Sequence, residues 1–263
     1  MTATPIPRSI KLTLLGNLDI SSIHTMPKTR LKPTTFLVPP PKQSNCYQWL
    51  YKQLKINHSQ AFVVCPFIDD SDKNDQVVSA QAEFTHLQKL FPDLSIGLLH
   101  GQTKDKDKII NDFIQQKITI LVSTPIIEVG IDIPNANYMI VNSADRFGLS
   151  QLHQLRGRIG RGDKPSFCCF FTSSQNPKTL KRLGFIKNSY DCFKIAKFDL
   201  ENRGPGTIFS TLQHGFPQLK LANLSDTDQN KLVRLIAKDI ISDYPKLVDQ
   251  IIKTSTTFLP AQN

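Results

Sequence analysis

The feature that most constrains the fold of this 263-residue chain is a regular alternation between residues 35 and 174. Short apolar runs recur at Thr35 to Val38, Ala61 to Phe67, Ser95 to Leu99, Ile118 to Val122, Tyr138 to Val141 and Phe167 to Thr172. Between them lie stretches with helical spacing, Gln43 to Lys55, Gln76 to Phe91 and Lys104 to Gln116. In the last of these, Ile109, Ile110, Phe113 and Ile114 form one apolar stripe. Helical crossovers between strands give parallel pairing, and a parallel sheet needs both faces covered. The expectation is an α/β domain over residues 36–174, with a parallel sheet and helices on both faces.

The flanks differ from this pattern. Residues 1–35 are rich in Pro, Thr and Ser and read as a connecting stretch with one short ordered piece around Ile10 to Leu15. Beyond Ser174 the alternation stops, and helical spacing follows at Pro177 to Asn188 and Asp191 to Asn202, ended by Gly204-Pro205-Gly206. A further helix is expected from Asp226 to Asp243, with Ser225 as N-cap and Leu232, Val233, Leu235, Ile236, Ile240 and Ile241 as its buried side. Residues 175–263 are therefore expected to form a helical C-terminal extension.

Lysine and arginine exceed aspartate and glutamate by 32 to 22, a net charge of +10 that favours polyanions. The same excess also suits a merely basic protein, so its distribution has to decide. Five cysteines with no Cys-x-x-Cys pair fit reduced thiols in a cytoplasmic protein better than disulfides or zinc. Cys168 and Cys169, adjacent in an apolar run, are expected to pack in the core on opposite faces. No apolar run is long enough to cross a membrane, and no membrane partner is expected.

Four segments carry candidate chemistry. Arg158 and Arg161, in Arg156-Gly157-Arg158-Ile159-Gly160-Arg161, are three residues apart. On a helix they would share a face, and their forked guanidiniums match phosphate oxygens; a solvated basic turn is the plain alternative. Gly157 and Gly160 would let the backbone turn tightly. Ile120 to Thr124 ends an apolar run in two hydroxyls, followed by Gly130 and Asp132. At strand ends Asp132 would accept a ribose hydroxyl, and Ser123 or Thr124 would donate to a nucleic-acid phosphate, although alone these residues read more simply as caps and a turn. His100-Gly101-Gln102-Thr103 offers donors from Gly101 and Thr103, with His100 better placed as a structural histidine. Seven basic residues face three acids between Lys178 and Arg203, with Phe185, Tyr190, Phe193 and Phe198 interleaved and expected mostly in the core. None of the twelve glycines precedes a lysine, so no Gly-x-x-x-x-Gly-Lys-Ser/Thr phosphate-binding loop is present.

In this order these segments, with Thr2-Ala3-Thr4-Pro5-Ile6-Pro7-Arg8, Gln151 to Gly162 and Phe193 to Gly206, resemble the superfamily 2 helicases and within them the RecG-type DNA helicases. The resemblance covers essentially the whole chain. It implies an ATP-dependent DNA helicase that remodels branched DNA such as stalled forks and recombination junctions, monomeric when complete. This chain would be its C-terminal portion: residues 1–35 the end of a first RecA-like domain and linker, 36–174 the second RecA-like domain, and 175–263 a translocation hairpin and loop with a helical extension.

The resemblance also implies roles. Arg158 and Arg161 correspond to the arginine finger and its companion, Gly130 and Asp132 to nucleotide contacts, and Gly101 and Thr124 to DNA-backbone contacts. Thr2 and Thr4, and with them Arg203 and Gln213, correspond to elements coupling hydrolysis to movement. ATP and Mg²⁺ would be held mainly by the other half of the motor, and this chain alone would show negligible ATPase. One departure is Ser210-Thr211-Leu212-Gln213-His214-Gly215, where the family usually reads Gly-Thr-Arg-Gln-x-Gly. A transcription-repair coupling factor, which shares this motor, is the nearest alternative, and a non-enzymatic DNA-binding module is the alternative from another class.

Overall fold

The computed structural model describes residues 31–66, 73–125, 133–199 and 227–244. Thr2, Thr4, Gly130, Asp132, Arg203, Gln213, Ser225 and the 210–215 loop lie outside the described residues. Six strands form one sheet: β1 (Thr34–Val38), β2 (Gln60–Val64), β3 (Ile96–Leu99), β4 (Ile120–Ser123), β5 (Ala136–Val141) and β6 (Phe167–Phe171). Their order is β1-β6-β5-β2-β4-β3, and each neighbouring pair is parallel. All six expected apolar runs are strands.

The inner strands are buried on both faces and mostly apolar, as in β2, β4 and β5, where every residue is buried, including the polar Gln60, Ser123 and Asn137. Ala61, Val63, Ile120, Val122, Tyr138 and Ile140 form one core with helices α1 (Pro40–Asn57) and α2 (Lys73–Leu90). Helix α1 starts at a proline pair whose φ suits a first turn, and ends where His58 adopts φ 47°. Its Tyr47, Leu50 and Leu54, at helical spacing, face the sheet. The alternate strand residues face the other way, where Phe62 meets Phe113 of α3 (Lys106–Ile114) with ring centroids 5.0 Å apart. Cys168 and Cys169 are both buried, as expected.

Helix α3 is shorter than the sequence pattern, since Gln116 turns left-handed at φ 62°; of its apolar stripe Phe113 is buried, Ile109 and Ile110 are half-buried and Ile114 is exposed. A helix the pattern did not show, α4 (Leu149–Arg156), lies between β5 and β6. It begins where the Gln151 side chain accepts from the Gly148 N–H at 3.2 Å. Helix α5 (Pro177–Asn188) has the expected bounds, with Asn176 capping the Lys178 N–H.

The chain divides into two compact units between Ile195 and Ala196. In the second, α6 (Thr227–Asp243) forms where expected, yet Leu232, Val233, Leu235, Ile236 and Ile241 are exposed and Ile240 is half-buried. This corrects the expected burial: spacing specifies an apolar helix face but not a surface to cover it.

Candidate functional site

The register makes the strand ends level. Val38 lies opposite Phe171, Val64 opposite Val141 and Ser123, and Ser123 opposite Leu99. The residues that follow, Thr124 and His100-Gly101, therefore share the carboxyl-end edge, where the Thr124 N–H donates to Leu99 O at 3.3 Å. The chain at 100–103 closes on itself. The Thr103 N–H donates to His100 O at 3.1 Å, its hydroxyl accepts from the His100 N–H at 3.0 Å, and the Gln102 N–H donates to His100 Nδ1 at 3.2 Å. The Thr103 amide is thus consumed by the turn, while Gly101 is exposed. Burial, then the Lys106 ammonium, holds the His100 imidazole below its ordinary pKa, which suits a neutral ring accepting that hydrogen bond.

Ser123 and Thr124 are buried, and their hydroxyls make no hydrogen bond among the described residues. A buried hydroxyl without a partner is costly, so these two mark the edge as polar at a strand end. Contact between either hydroxyl and a phosphate requires them to be uncovered.

Arg158 and Arg161 do not share a helix face. Helix α4 ends at Arg156; Gly157 keeps a right-handed conformation as its cap, and only Gly160 turns left-handed, at φ 68°. The loop is packed at the opposite, amino-end edge. A Cβ on Gly160 would run into the Ser166 side chain, with Pro33 also near, and one on Gly162 would lie 2.9 Å from Pro134 O. These neighbours precede β6, β1 and β5, so the glycines permit close backbone approach beneath the sheet. Arg158 is half-buried, and Arg161 is exposed with its Nε donating to Gly157 O at 3.3 Å. The structure therefore separates the two arginines from Gly101, Ser123 and Thr124, which it brings together.

Sequence reasoning missed Arg156. Its side chain is 2% exposed. Its guanidinium donates to Ile186 O at 2.6 Å and Ser189 O at 2.7 Å, and its Nη2 lies 3.0 Å from His153 Nδ1. Burial lowers its pKa, but guanidinium stays charged in proteins. Arg182 makes a similar tie, donating to Phe147 O at 2.7 Å and Asp145 O at 2.5 Å. Two arginines thus bind α5 to the segment carrying α4. Arg182 belongs to the basic stretch expected to face DNA, whereas Lys178, Lys181, Lys187, Lys194 and Lys197 are exposed. Phe185, Tyr190, Phe193 and Phe198 are half-buried rather than core. A signal for Arg156 was present: it follows Leu149 and Leu152 at spacings of seven and four on a buried helix face.

A six-stranded parallel, RecA-like sheet carrying this arginine loop defines the carboxyl-terminal helicase domain class. The helicase conserved C-terminal domain family matches residues 44–163, from α1 to the end of the loop. The chain matches the C-terminal helicase portion of proteins named ATP-dependent DNA helicase RecG. It is 42% identical over 227 residues to the ATP-dependent DNA helicase RecG of Thermotoga maritima, covering 85% of this chain and 29% of that protein. It is 37% identical over 266 residues to RecG of Bacillus subtilis, covering 97% of this chain and 39% of that one. A solved structure of RecG bound to a three-way DNA junction superposes with a TM-score of 0.66 at 40% identity, covering 79% of this chain and 27% of that one. The chain spans about a third of the length of the relatives it matches. Among the described residues, no helix is long and apolar enough to cross a membrane.

Proposed function

We propose that this chain supplies the C-terminal portion of an ATP-dependent helicase acting on branched DNA. The observation that carries the reading is the glycine-shaped loop presenting Arg158 and Arg161, tied through Arg156 to α5. Its support is similarity to relatives named ATP-dependent DNA helicase RecG, and to a RecG solved on a three-way DNA junction.

In this reading Arg161 and Arg158 face the phosphates of ATP bound mainly by another part of the motor, where they stabilise charge as the phosphoryl group transfers. The loop offers guanidinium donors, which suit phosphate oxygens; the accompanying Mg²⁺ takes its ligands elsewhere. Gly130 and Asp132 contact the nucleotide, Gly101, Ser123 and Thr124 track the DNA backbone, and Thr2, Thr4, Arg203 and Gln213 couple hydrolysis to movement. The exposed lysines on and after α5 add a non-specific attraction for DNA.

The test is complementation. Adding an upstream fragment that carries a phosphate-binding loop should produce DNA-stimulated ATP hydrolysis, and Arg161→Ala should lower it about a thousandfold or more. Hydrolysis by the 263-residue chain alone would overturn the division of labour. Salt-sensitive DNA binding by the complemented pair with no turnover would favour a binding module instead.

A further inference from the structure

Tyr190 joins three segments that are far apart in sequence. Ser189 ends α5 in an extended conformation, with φ −108° and ψ 135°, and this carries the next residue across the end of α4. There the Tyr190 ring faces the Arg156 guanidinium at 4.2 Å from its centroid. The Tyr190 hydroxyl donates to Pro33 O, and the Lys32 ammonium lies 5.7 Å from the same ring. Pro33 leads into β1, the Thr34 N–H donates to Ser166 O at 2.8 Å, and Pro33 and Ser166 are the residues against which Gly160 packs. One side chain therefore touches the segment entering the domain and the buried arginine that holds α5, and through Pro33 it reaches the packing around the loop presenting Arg158 and Arg161.

We propose that Tyr190 is a positioning residue: it clamps the entering segment 31–33 to Arg156, so that displacement of that segment is transmitted to the arginine loop and α5 together. Tyrosine suits this task because one rigid side chain supplies a ring face for a guanidinium and a hydroxyl donor. Without the clamp, segment 31–33 would be held to this part of the domain chiefly through the Thr34 to Ser166 hydrogen bond and the packing of Pro33. The consequence for a motor rests on the function proposed above. The clamp itself does not.

Two variants separate the contacts in the full chain. Tyr190→Phe keeps the ring and removes the hydroxyl; Tyr190→Leu removes both. Amide hydrogen exchange over residues 31–36 should quicken roughly three- to tenfold in Tyr190→Phe, the weight of one hydrogen bond. The ring-current shift of the Arg156 side-chain resonances should survive in Tyr190→Phe and vanish in Tyr190→Leu. Unchanged exchange in Tyr190→Phe, or an unchanged Arg156 resonance in Tyr190→Leu, would overturn the clamp. With the upstream fragment added, both variants should lower kcat for DNA-stimulated hydrolysis and leave KM for ATP unaltered; an unaltered kcat would overturn the positioning role. Absence of hydrolysis in the unmutated pair would instead sink the helicase reading, and exchange would still judge the clamp.

Discussion

Arg156→Met tests how firmly α5 is held to the arginine segment. The substitution removes two charge-assisted hydrogen bonds to carbonyls and one contact with an aromatic face. Such hydrogen bonds are worth about 1.5–3 kcal/mol each and the aromatic contact roughly 0.5–2 kcal/mol, a gross loss of about 4–8 kcal/mol. Opposing this is the desolvation of the guanidinium, several kcal/mol for a buried ion, which methionine does not incur. The carbonyls decide the balance: Ser189 is half-buried and its oxygen can turn to water, whereas Ile186 is buried and its oxygen is left without a donor of comparable strength. The net expectation is a loss of about 2–4 kcal/mol, or roughly 5–15 °C in Tm for a unit of this size. The assay is thermal unfolding followed by fluorescence of Trp49, the single tryptophan, which packs against Tyr138 and Phe167 and so reports the unit containing the sheet. Arg156→Lys should recover less than half of the loss, because one ammonium does not reproduce the planar fork that reaches both carbonyls. A Tm within about 1 °C of the unmutated chain for Arg156→Met would refute the argument that these bonds hold α5.

Gly160→Ala should destabilise by roughly 1–3 kcal/mol, since its φ is left-handed and its Cβ meets Ser166; adding Ser166→Gly should relieve the collision and leave about 1–2 kcal/mol of backbone strain, measured by the same unfolding. His100 should titrate below 6.5 by NMR, and Lys106→Gln should move it part of the way back. Because its folded pKa is lowered, the unfolded chain takes up the proton first, so this histidine's contribution to stability is present above 6.5 and declines as pH falls through that value. Burial pushes the Cys65 and Cys168 thiols up to about 12, so at pH 8, chosen as roughly one unit below an ordinary thiol pKa, mass spectrometry should find thiol reagents on Cys46 and Cys192 first. Early modification of Cys168 would contradict its place in the sheet.

The fold was largely legible because its signal is local and repeated. Six apolar runs separated in part by helical spacing specify six strands, and the burial of the inner ones on both faces follows from a parallel sheet. Helix α4 escaped because an eight-residue helix between two strands shows too few turns for its Leu149, Leu152 and Leu155 stripe to stand out. The exposed face of α6 was misjudged for a different reason, since periodicity describes one helix and burial needs a second surface.

The candidate site was legible in its residue types and illegible in its arrangement. Gly101, Ser123, Thr124, Arg158 and Arg161 were all recognisable by their chemistry. Their separation into opposite edges follows from strand direction and the return of α4 beneath the sheet, which no local pattern encodes. The same holds for Arg156, whose charge reads as surface until the carbonyls of Ile186 and Ser189 close around it. By itself the sequence determined the strands, most of the helices and the phosphate-seeking side chains, because these depend on spacing along one segment. Only the tertiary structure decided which arginine is a tie and which is offered outward, because burial and hydrogen bonding depend on residues some thirty positions away.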